Sequence, residues 1–364
     1  MVRLIPRHSR EILVAIQPRM KLRQEILRNA RRIVVKVGTG LLTDAQNRLS
    51  LPQIENLVNQ LAALRQQKKE IIFVTSGAIG AGMAQLGLKS RPKRLDELQA
   101  AAAIGQSKLM AIYDDLFGRH DITVAQILLT HDDLKNRTRH LNAQNTLTTL
   151  LARGVVPIIN ENDTVSVDEI KFGDNDRLGA LTATLIDADL LVILSHVEGL
   201  LDKAGKVVSV VATVTRDVEA LAGGTDRVTS VGGMKSKLAA AKIVTRAGTP
   251  LIIANGDRPN VLADILAGQE VGTIFLPHTG KLAHRKRWIA FFQRPAGTVV
   301  VDAGARTAVH DAGKSLLAKG VLRREGKFGP GDVVSIQDQT GNEFARGLVR
   351  TGNILIHRDD LVIL

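Results

Sequence analysis

The chain of 364 residues contains no cysteine. That excludes disulfide scaffolds, thiolate catalysis and cysteine-ligated zinc or iron–sulfur centres. It is compatible with a reducing compartment such as the cytoplasm. Aromatic residues make up only 3%, with one Trp and one Tyr, so base-stacking platforms for single-stranded nucleic acid are not expected in the main body. No window approaches the ~18 uninterrupted apolar residues of a membrane-spanning helix, which points to no membrane association. Hydrophobic residues at 45% and charged residues at 23% are ordinary for a globular protein. At roughly 150 residues per domain, the length suggests two to three domains.

The net charge of +13 suggests a nucleic-acid partner, so its location matters. Residues 1–32 hold nine basic and two acidic side chains, +7. Residues 33–280 hold 26 of each and are neutral. Residues 281–294 hold five basic and no acidic side chains, and residues 295–364 hold nine and eight, for +5 and +1. The excess therefore lies in a tail and a connector.

Residues 1–30 show neither strand nor helix periodicity and read as a basic N-terminal extension. Their arginines suggest a transit peptide, but serine is nearly absent, and Met20 stands just upstream of the first strand as an alternative start. From Arg32 onward, short apolar runs alternate with helical patterns. Strands are expected over Arg32–Val37, Ile71–Thr75, Ile122–Leu128, Val155–Ile159, Leu190–Leu194 and Leu251–Ala254. Ser50, Pro52 and Glu55 mark a helix start. Leu98, Ala102, Gly105, Leu109, Ile112 and Leu116 step along one face of a long helix. This alternation predicts an α/β fold with a mainly parallel sheet and helices on both faces. The boundaries are 31–280 for that domain, 281–295 for a basic linker around His284-Arg285-Lys286-Arg287, and 296–364 for a small β-rich domain. In the last, strands are expected over Thr298–Val301, Val333–Ile336, Ala345–Val349, Ile354–His357 and Leu361–Leu364.

Four familiar motifs fail on spacing. Gly313-Lys314-Ser315 resembles the end of a Walker loop, but Ala308 stands where the earlier glycine belongs. Gly38-Thr39-Gly40 lacks the third glycine of a dinucleotide fingerprint, because position 43 is Thr43. His357-Arg358-Asp359 mimics a protein-kinase catalytic loop, but the downstream Asn position is Leu364. Asp174-Asn175-Asp176 mimics a calcium loop, but Leu178 and Leu185 occupy ligand positions.

What remains is a set of polar groups at the C-terminal ends of strands, where open α/β sheets bind ligands. Lys36 lies between Val35 and Val37, where an ammonium either meets an anion or snorkels from the strand end. The small residues of Ser76–Gly82 permit either backbone N–H contact with an anion or tight helix packing. Glu161, Asp163, Asp168, Glu169, Asp174 and Asp176 crowd a loop opening off an apolar strand. Gly232-Gly233-Met234-Lys235-Ser236-Lys237 leads into a helix whose start could hold phosphate.

Taken in order, Lys36-Val37-Gly38-Thr39, Val74–Ala78, Ile159–Asp163, Gly173–Asp176 and Gly232-Gly233-Met234 resemble the amino acid kinase family from about Arg31 onward. The last seventy or so residues resemble a PUA domain, an RNA-binding module elsewhere. Within that family the motifs look most like the branch that phosphorylates the γ-carboxylate of L-glutamate, the first step of proline biosynthesis. The resemblance implies ATP as co-substrate and Mg2+ carried mainly by nucleotide phosphates, with no protein metal site. It makes Lys36, Asp176 and Lys237 catalytic and Ser76, Asp163 and Asn175 glutamate-binding. ATP would meet Lys36, Ser195, His196, Val231, Gly232, Gly233, Met234, Lys235, Ser236 and Lys237. It also implies a glutamyl-phosphate reductase as partner, feedback by proline and a homo-oligomer. RNA stays open, since the C-terminal domain is nearly neutral. The alternatives are an RNA-binding protein with a degenerate kinase fold, or a sister kinase with a different substrate.

The sequence departs from the family in three places. His196 follows Ser195 where an Asp is usual, which changes the local hydrogen-bond code from acceptor alone to donor and acceptor. Ser230 replaces a glycine before Gly232-Gly233-Met234, and the PUA-like domain is short between Arg350 and Asn353.

Overall fold

The computed structural model describes residues 21–44, 48–88, 90–165, 175–223, 233–278 and 283–364. The chain divides into a larger unit that ends at His278 and a smaller one made of Leu134–Arg137 and Thr279–Leu364.

The larger unit is built on an eight-stranded sheet. Its strands are β1 (Arg32–Val37), β2 (Glu70–Val74), β3 (Val124–Leu129), β4 (Val156–Glu161), β5 (Leu190–Ser195), β6 (Val210–Val211), β7 (Leu251–Asn255) and β8 (Thr273–Phe275). They lie in the order β3-β4-β2-β1-β5-β7-β8-β6. From β3 to β7 every pairing is parallel. Runs such as Ile33-Val34-Val35 and Leu190–Leu194 are apolar throughout because both faces of a parallel sheet are covered. The expected α/β architecture is therefore present. The short pair β8 and β6 is an addition to it: β8 runs antiparallel to β7.

β1 occupies the centre, with β2 on one side and β5 on the other. The chain winds away from β1 in both directions, so a crevice opens beyond the carboxyl ends of β1 and β5. Lys36, Ser76, Glu161 and Ser195 all stand at or just past strand ends on that edge.

Helix α1 (Leu51–Gln66) starts where expected, but Ser50 makes no side-chain cap bond. Its Ile54, Leu57, Val58 and Leu61 are buried. α2 (Ala78–Gln85) follows β2 directly, through Gly77 at φ 95°. That left-handed backbone suits glycine and turns the chain within a residue of Ser76. α2 crosses α3 (Leu95–Gly118) at a glycine seam. A Cβ on Gly82 would lie 1.8 Å from the Ala101 carbonyl oxygen, and one on Gly105 would lie 1.8 Å from that of Ala78. Of the two readings of the small-residue run, close helix packing accounts for Gly82.

The segment before β1 differs from expectation. Residues 21–29 are helical. Leu27 and Ala30 join the same apolar cluster as Ile33 and Val35. Arg23 is fully buried, and its guanidinium donates to the carbonyl oxygens of Ser209 at 2.8 Å, Gln269 at 3.2 Å and Val271 at 2.5 Å. Burial lowers its pKa. A charge count assigns this arginine to a solvated tail, but its donors satisfy backbone groups beside the β6 and β8 edge.

In the smaller unit a five-stranded sheet has the order β11-β9-β12-β13-β15, and β10 pairs with β14. These strands are β9 (Gly297–Val301), β10 (Leu316–Leu317), β11 (Val321–Gly326), β12 (Val333–Gln337), β13 (Glu343–Leu348), β14 (Ile354–Ile356) and β15 (Leu361–Ile363). Its core joins Val299, Val301, Val334, Ile336 and Ile356. The basic stretch before it turns helically over His284–Arg287 and Trp288–Phe292, burying Ile289, Phe291 and Phe292. Among the described residues, no helix is long and apolar enough to cross a membrane.

The glycine seam yields a direct test. Gly105→Ala forces α2 and α3 apart against backbone atoms and should cost at least the ~1–3 kcal/mol of an overpacked core. Gly118→Ala, with nothing within 4 Å of its added Cβ, should be neutral or stabilising. Urea unfolding of both variants checks this, and equal midpoints would refute it.

Candidate active site

Lys36 points from β1 into the crevice with its side chain only 6% exposed. Its Nζ lies 2.6 Å from Oδ1 of Asp176, which is completely buried. Asp176 is the second residue of α4 (Asn175–Leu185), so it also sits in the positive field of a helix N-terminus. The other oxygen, Oδ2, is 3.1 Å from Nζ of Lys237 on α5 (Met234–Arg246). Ser236 Oγ lies 2.8 Å from that same oxygen and 2.9 Å from the Gly233 carbonyl oxygen. One carboxylate thus bridges two ammonium groups that come from different parts of the chain.

The electrostatics follow from this placement. Burial would raise the Asp176 pKa, but Lys36, Lys237 and the hydrogen bonds outweigh it and hold the value at about 2. Asp176 therefore stays ionised, and its two oxygens are fully engaged by cations and a hydroxyl. A glycine makes room for the arrangement. A Cβ on Gly179, one turn along α4, would approach the Lys36 Cβ to 3.2 Å.

A second group of polar side chains lies at the ends of β2 and β4. Asn175 Nδ2 is 2.6 Å from the Thr75 carbonyl oxygen, 2.8 Å from Asn160 Oδ1 and 3.2 Å from Ser76 Oγ. Asn160 in turn donates from Nδ2 to Gln106 Oε1 at 2.8 Å and accepts from the Glu161 N–H at 3.0 Å. Behind them Thr75 Oγ1 and the Tyr113 hydroxyl are 2.7 Å apart. Burial raises the Tyr113 pKa far above the usual phenol range, so it stays protonated. Asp163 stands in the turn just beyond β4 and is half-buried. The structure thus unites Ser76, Asn160 and Asn175, and puts Asn175 beside Asp176 at one helix start.

Ser195 ends β5, and His196 follows it. Ser195 Oγ is buried with no hydrogen-bond partner among the described residues. His196 is exposed, and its Nδ1 is 2.7 Å from Oδ2 of Asp257, which follows β7. Its ring covers Gly40, where a Cβ would lie 2.6 Å from Nε2. Gly233, Met234, Lys235 and Ser236 open α5, with Lys235 exposed. Val231 and Gly232 lie outside the described residues. No group of three or more His, Asp or Glu side chains that could hold a metal occurs among the described residues.

The sequence reading does not include Gln106, Tyr113, Gly179 or Asp257. Gln106 was the detectable one, because it is a polar residue beside Gly105 on the buried face of a long helix.

Two comparisons bear on this site. Residues 31–255 match the amino acid kinase family, and residues 297–353 match the PUA domain. A glutamate 5-kinase from Geobacter metallireducens is 47% identical over 373 residues, covering 94% of this chain and 100% of that protein. The chain belongs to the amino acid kinase family. Within that family it groups with glutamate 5-kinases. A second such relative, from Caldanaerobacter subterraneus subsp. tengcongensis, is 46% identical and covers 92% of this chain and 98% of its own length. These matches take in both units and every strand-end group described above.

The bridging carboxylate predicts a paired loss. Asp176→Asn leaves two buried ammonium groups without a counter-charge, which should cost about 3–5 kcal/mol in stability. Because the folded pKa is depressed, the stabilisation from Asp176 is present above the ordinary carboxylate range of ~4 and is lost as pH falls toward about 2. The variant should therefore lose this part of the acid sensitivity. Chemical unfolding of both proteins at pH 7 and pH 3 checks the sign, and an unchanged pH 7 midpoint would contradict it.

Proposed function

We propose that this chain transfers the γ-phosphoryl group of ATP to the γ-carboxylate of L-glutamate, giving L-glutamyl 5-phosphate and ADP. The observation that carries this reading is the buried Lys36–Asp176–Lys237 arrangement, within a chain nearly half identical to full-length glutamate 5-kinases.

Phosphoryl transfer is governed by positioning and by charge stabilisation. A carboxylate oxygen of glutamate attacks the γ-phosphorus, and the bond from that phosphorus to the β,γ-bridging oxygen breaks. No proton has to move, since the attacking carboxylate is already ionised at neutral pH. Asp176 is therefore a positioning residue rather than a general base. It fixes two ammonium groups so that Lys36 and Lys237 meet charge as it spreads over the transferred group and the leaving oxygen. Being fixed in advance, they need no reorganisation in the transition state.

Ser76 and Asn175 supply neutral polar groups to glutamate beside the reacting centre, and Asp163 supplies a charge for its α-ammonium. Ser195, His196 and the start of α5 from Gly233 to Ser236 face the nucleotide. Magnesium, when bound, neutralises phosphate charge. With Asp176 committed to cations, the ion would arrive on the nucleotide and retain several waters. The product is an acyl phosphate, a mixed anhydride suited to a reductase that consumes it.

Trapping with hydroxylamine tests the reading. ATP, glutamate and hydroxylamine should yield the hydroxamate, with none formed when uridylate or carbamate replaces glutamate. Asp163→Asn removes one charge-assisted contact of ~1.5–3 kcal/mol, so the KM for glutamate should rise roughly tenfold to a hundredfold. The KM for ATP should move much less. An unchanged glutamate KM in a folded variant would remove Asp163 from the site.

A further inference from the structure

His196 stands where an Asp is usual in the family, and the fold gives its ring a single partner. Ser195 and Asn255 pair at the ends of β5 and β7, and the Gly256 N–H donates to the Ser195 carbonyl oxygen at 2.9 Å. His196 and Asp257 therefore leave adjacent parallel strands side by side. The ring's Nδ1 lies 2.7 Å from Asp257 Oδ2, while Nε2 has no hydrogen-bond partner among the described residues.

Asp257 is itself held in place. Its N–H donates to Asn255 Oδ1 at 2.9 Å, and Asn255 Nδ2 donates to Glu198 Oε1 at 2.7 Å. Glu198, the other carboxylate of this corner, also has Arg258 at 3.7 Å. Asp257 is thus the carboxylate left to bond the ring.

That bond decides the tautomer. An ionised carboxylate only accepts hydrogen bonds, so the neutral ring carries its proton on Nδ1. Nε2 then keeps its lone pair and has no proton. Gly40 leaves room beside this nitrogen, since a Cβ there would lie 2.6 Å from Nε2 and 3.0 Å from Cδ2. A histidine by itself offers a donor or an acceptor. Tied to Asp257, it turns an acceptor outward, as the usual carboxylate would.

We propose that Asp257 is a positioning residue for the nucleotide. By holding the proton on Nδ1, it makes His196 Nε2 an acceptor for a donor on the nucleoside, either a ribose hydroxyl or the adenine amino group. This rests on the reading above that His196 faces the nucleotide. Two residues on two strands then do what one acid does elsewhere in the family, and the nucleoside meets the same hydrogen-bond code.

Calorimetric titration of the full chain with ADP and Mg2+ at pH 8 tests this without requiring turnover. Asp257→Ala frees the ring to carry its proton on Nε2. Affinity for ADP should fall roughly three- to tenfold, the worth of one neutral hydrogen bond. Adding His196→Asp to that variant supplies a carboxylate with no tautomer to set, and should restore affinity to within about twofold of wild type. A merely structural bond between strand ends would show no such rescue. 2′-Deoxy-ADP, 3′-deoxy-ADP and IDP each lack one nucleoside donor. One of them should bind wild type as weakly as ADP binds the Asp257→Ala variant, and its binding should be insensitive to that substitution. Spectra of the free protein with 15N-labelled histidine should show His196, identified by its loss in His196→Asp, protonated at Nδ1. The proposal is overturned if Asp257→Ala binds ADP as wild type does, if His196→Asp fails to rescue it, if all three analogues remain sensitive to the substitution, or if Nε2 carries the proton. A wild type that binds no ADP would overturn the kinase reading as well. A chain that binds ADP as described but forms no glutamyl hydroxamate would lose the glutamate reading and keep this one.

Discussion

Much of the larger unit depends on a single carboxylate that holds two lysines. Two ammonium groups brought this close inside a protein repel each other, and each loses water on burial. Asp176 offsets both costs at once, with one oxygen for each cation. The arrangement constrains three elements: β1 for Lys36, α4 for Asp176 and α5 for Lys237. β1 is central and α4 is buried on nearly every residue, so neither can shift without disturbing the core. The geometry of the two lysines is therefore set by the most rigid parts of the fold, which suits the proposed preorganised site.

The neighbouring amide network obeys the same logic with neutral groups. Asn175 donates to Asn160, which accepts that bond and donates in turn to Gln106, within one buried cluster. Such bonds fix the orientation of Asn160 and Asn175, because rotating either amide would break them inside the protein. Asn175 and Asp176 are adjacent in sequence, so the amide cluster and the ion triad are locked to each other at one helix start.

How much of this could be read from sequence varied with the physical signal. The six long strands of the parallel sheet were legible because continuous Val, Ile and Leu runs have few other uses. β6, with two residues, is too short to show a pattern. β11 contains Arg323, Arg324 and Glu325, and past Val321 all of its residues are exposed, so it lacks the apolar alternation that marks a strand. The helix over residues 21–29 was hidden by charge, since burying Arg23 depends on carbonyl groups about 190 to 250 positions away. At the site, the order of Lys36-Val37-Gly38-Thr39, Val74–Ala78, Ile159–Asp163, Gly173–Asp176 and Gly232-Gly233-Met234 pointed to the amino acid kinase family, and that resemblance implied Lys36, Asp176 and Lys237. Their mutual distances were not in the sequence. Asp257 gave no local sign at all, because its partner His196 lies about sixty residues earlier, just past the end of another strand.

Gly179 shows how chemistry can restrict a position that performs none. Its helical backbone would accept almost any residue, and it touches no polar group of the site. What confines it is the aliphatic stem of Lys36 passing 3.2 Å from where a Cβ would be. The two positions are thus coupled in their inheritance. A larger residue at 179 becomes acceptable only if residue 36 retreats, and that retreat would draw the ammonium away from Asp176. As long as the lysine is needed, the room at 179 is set by a neighbour and not by any task of its own.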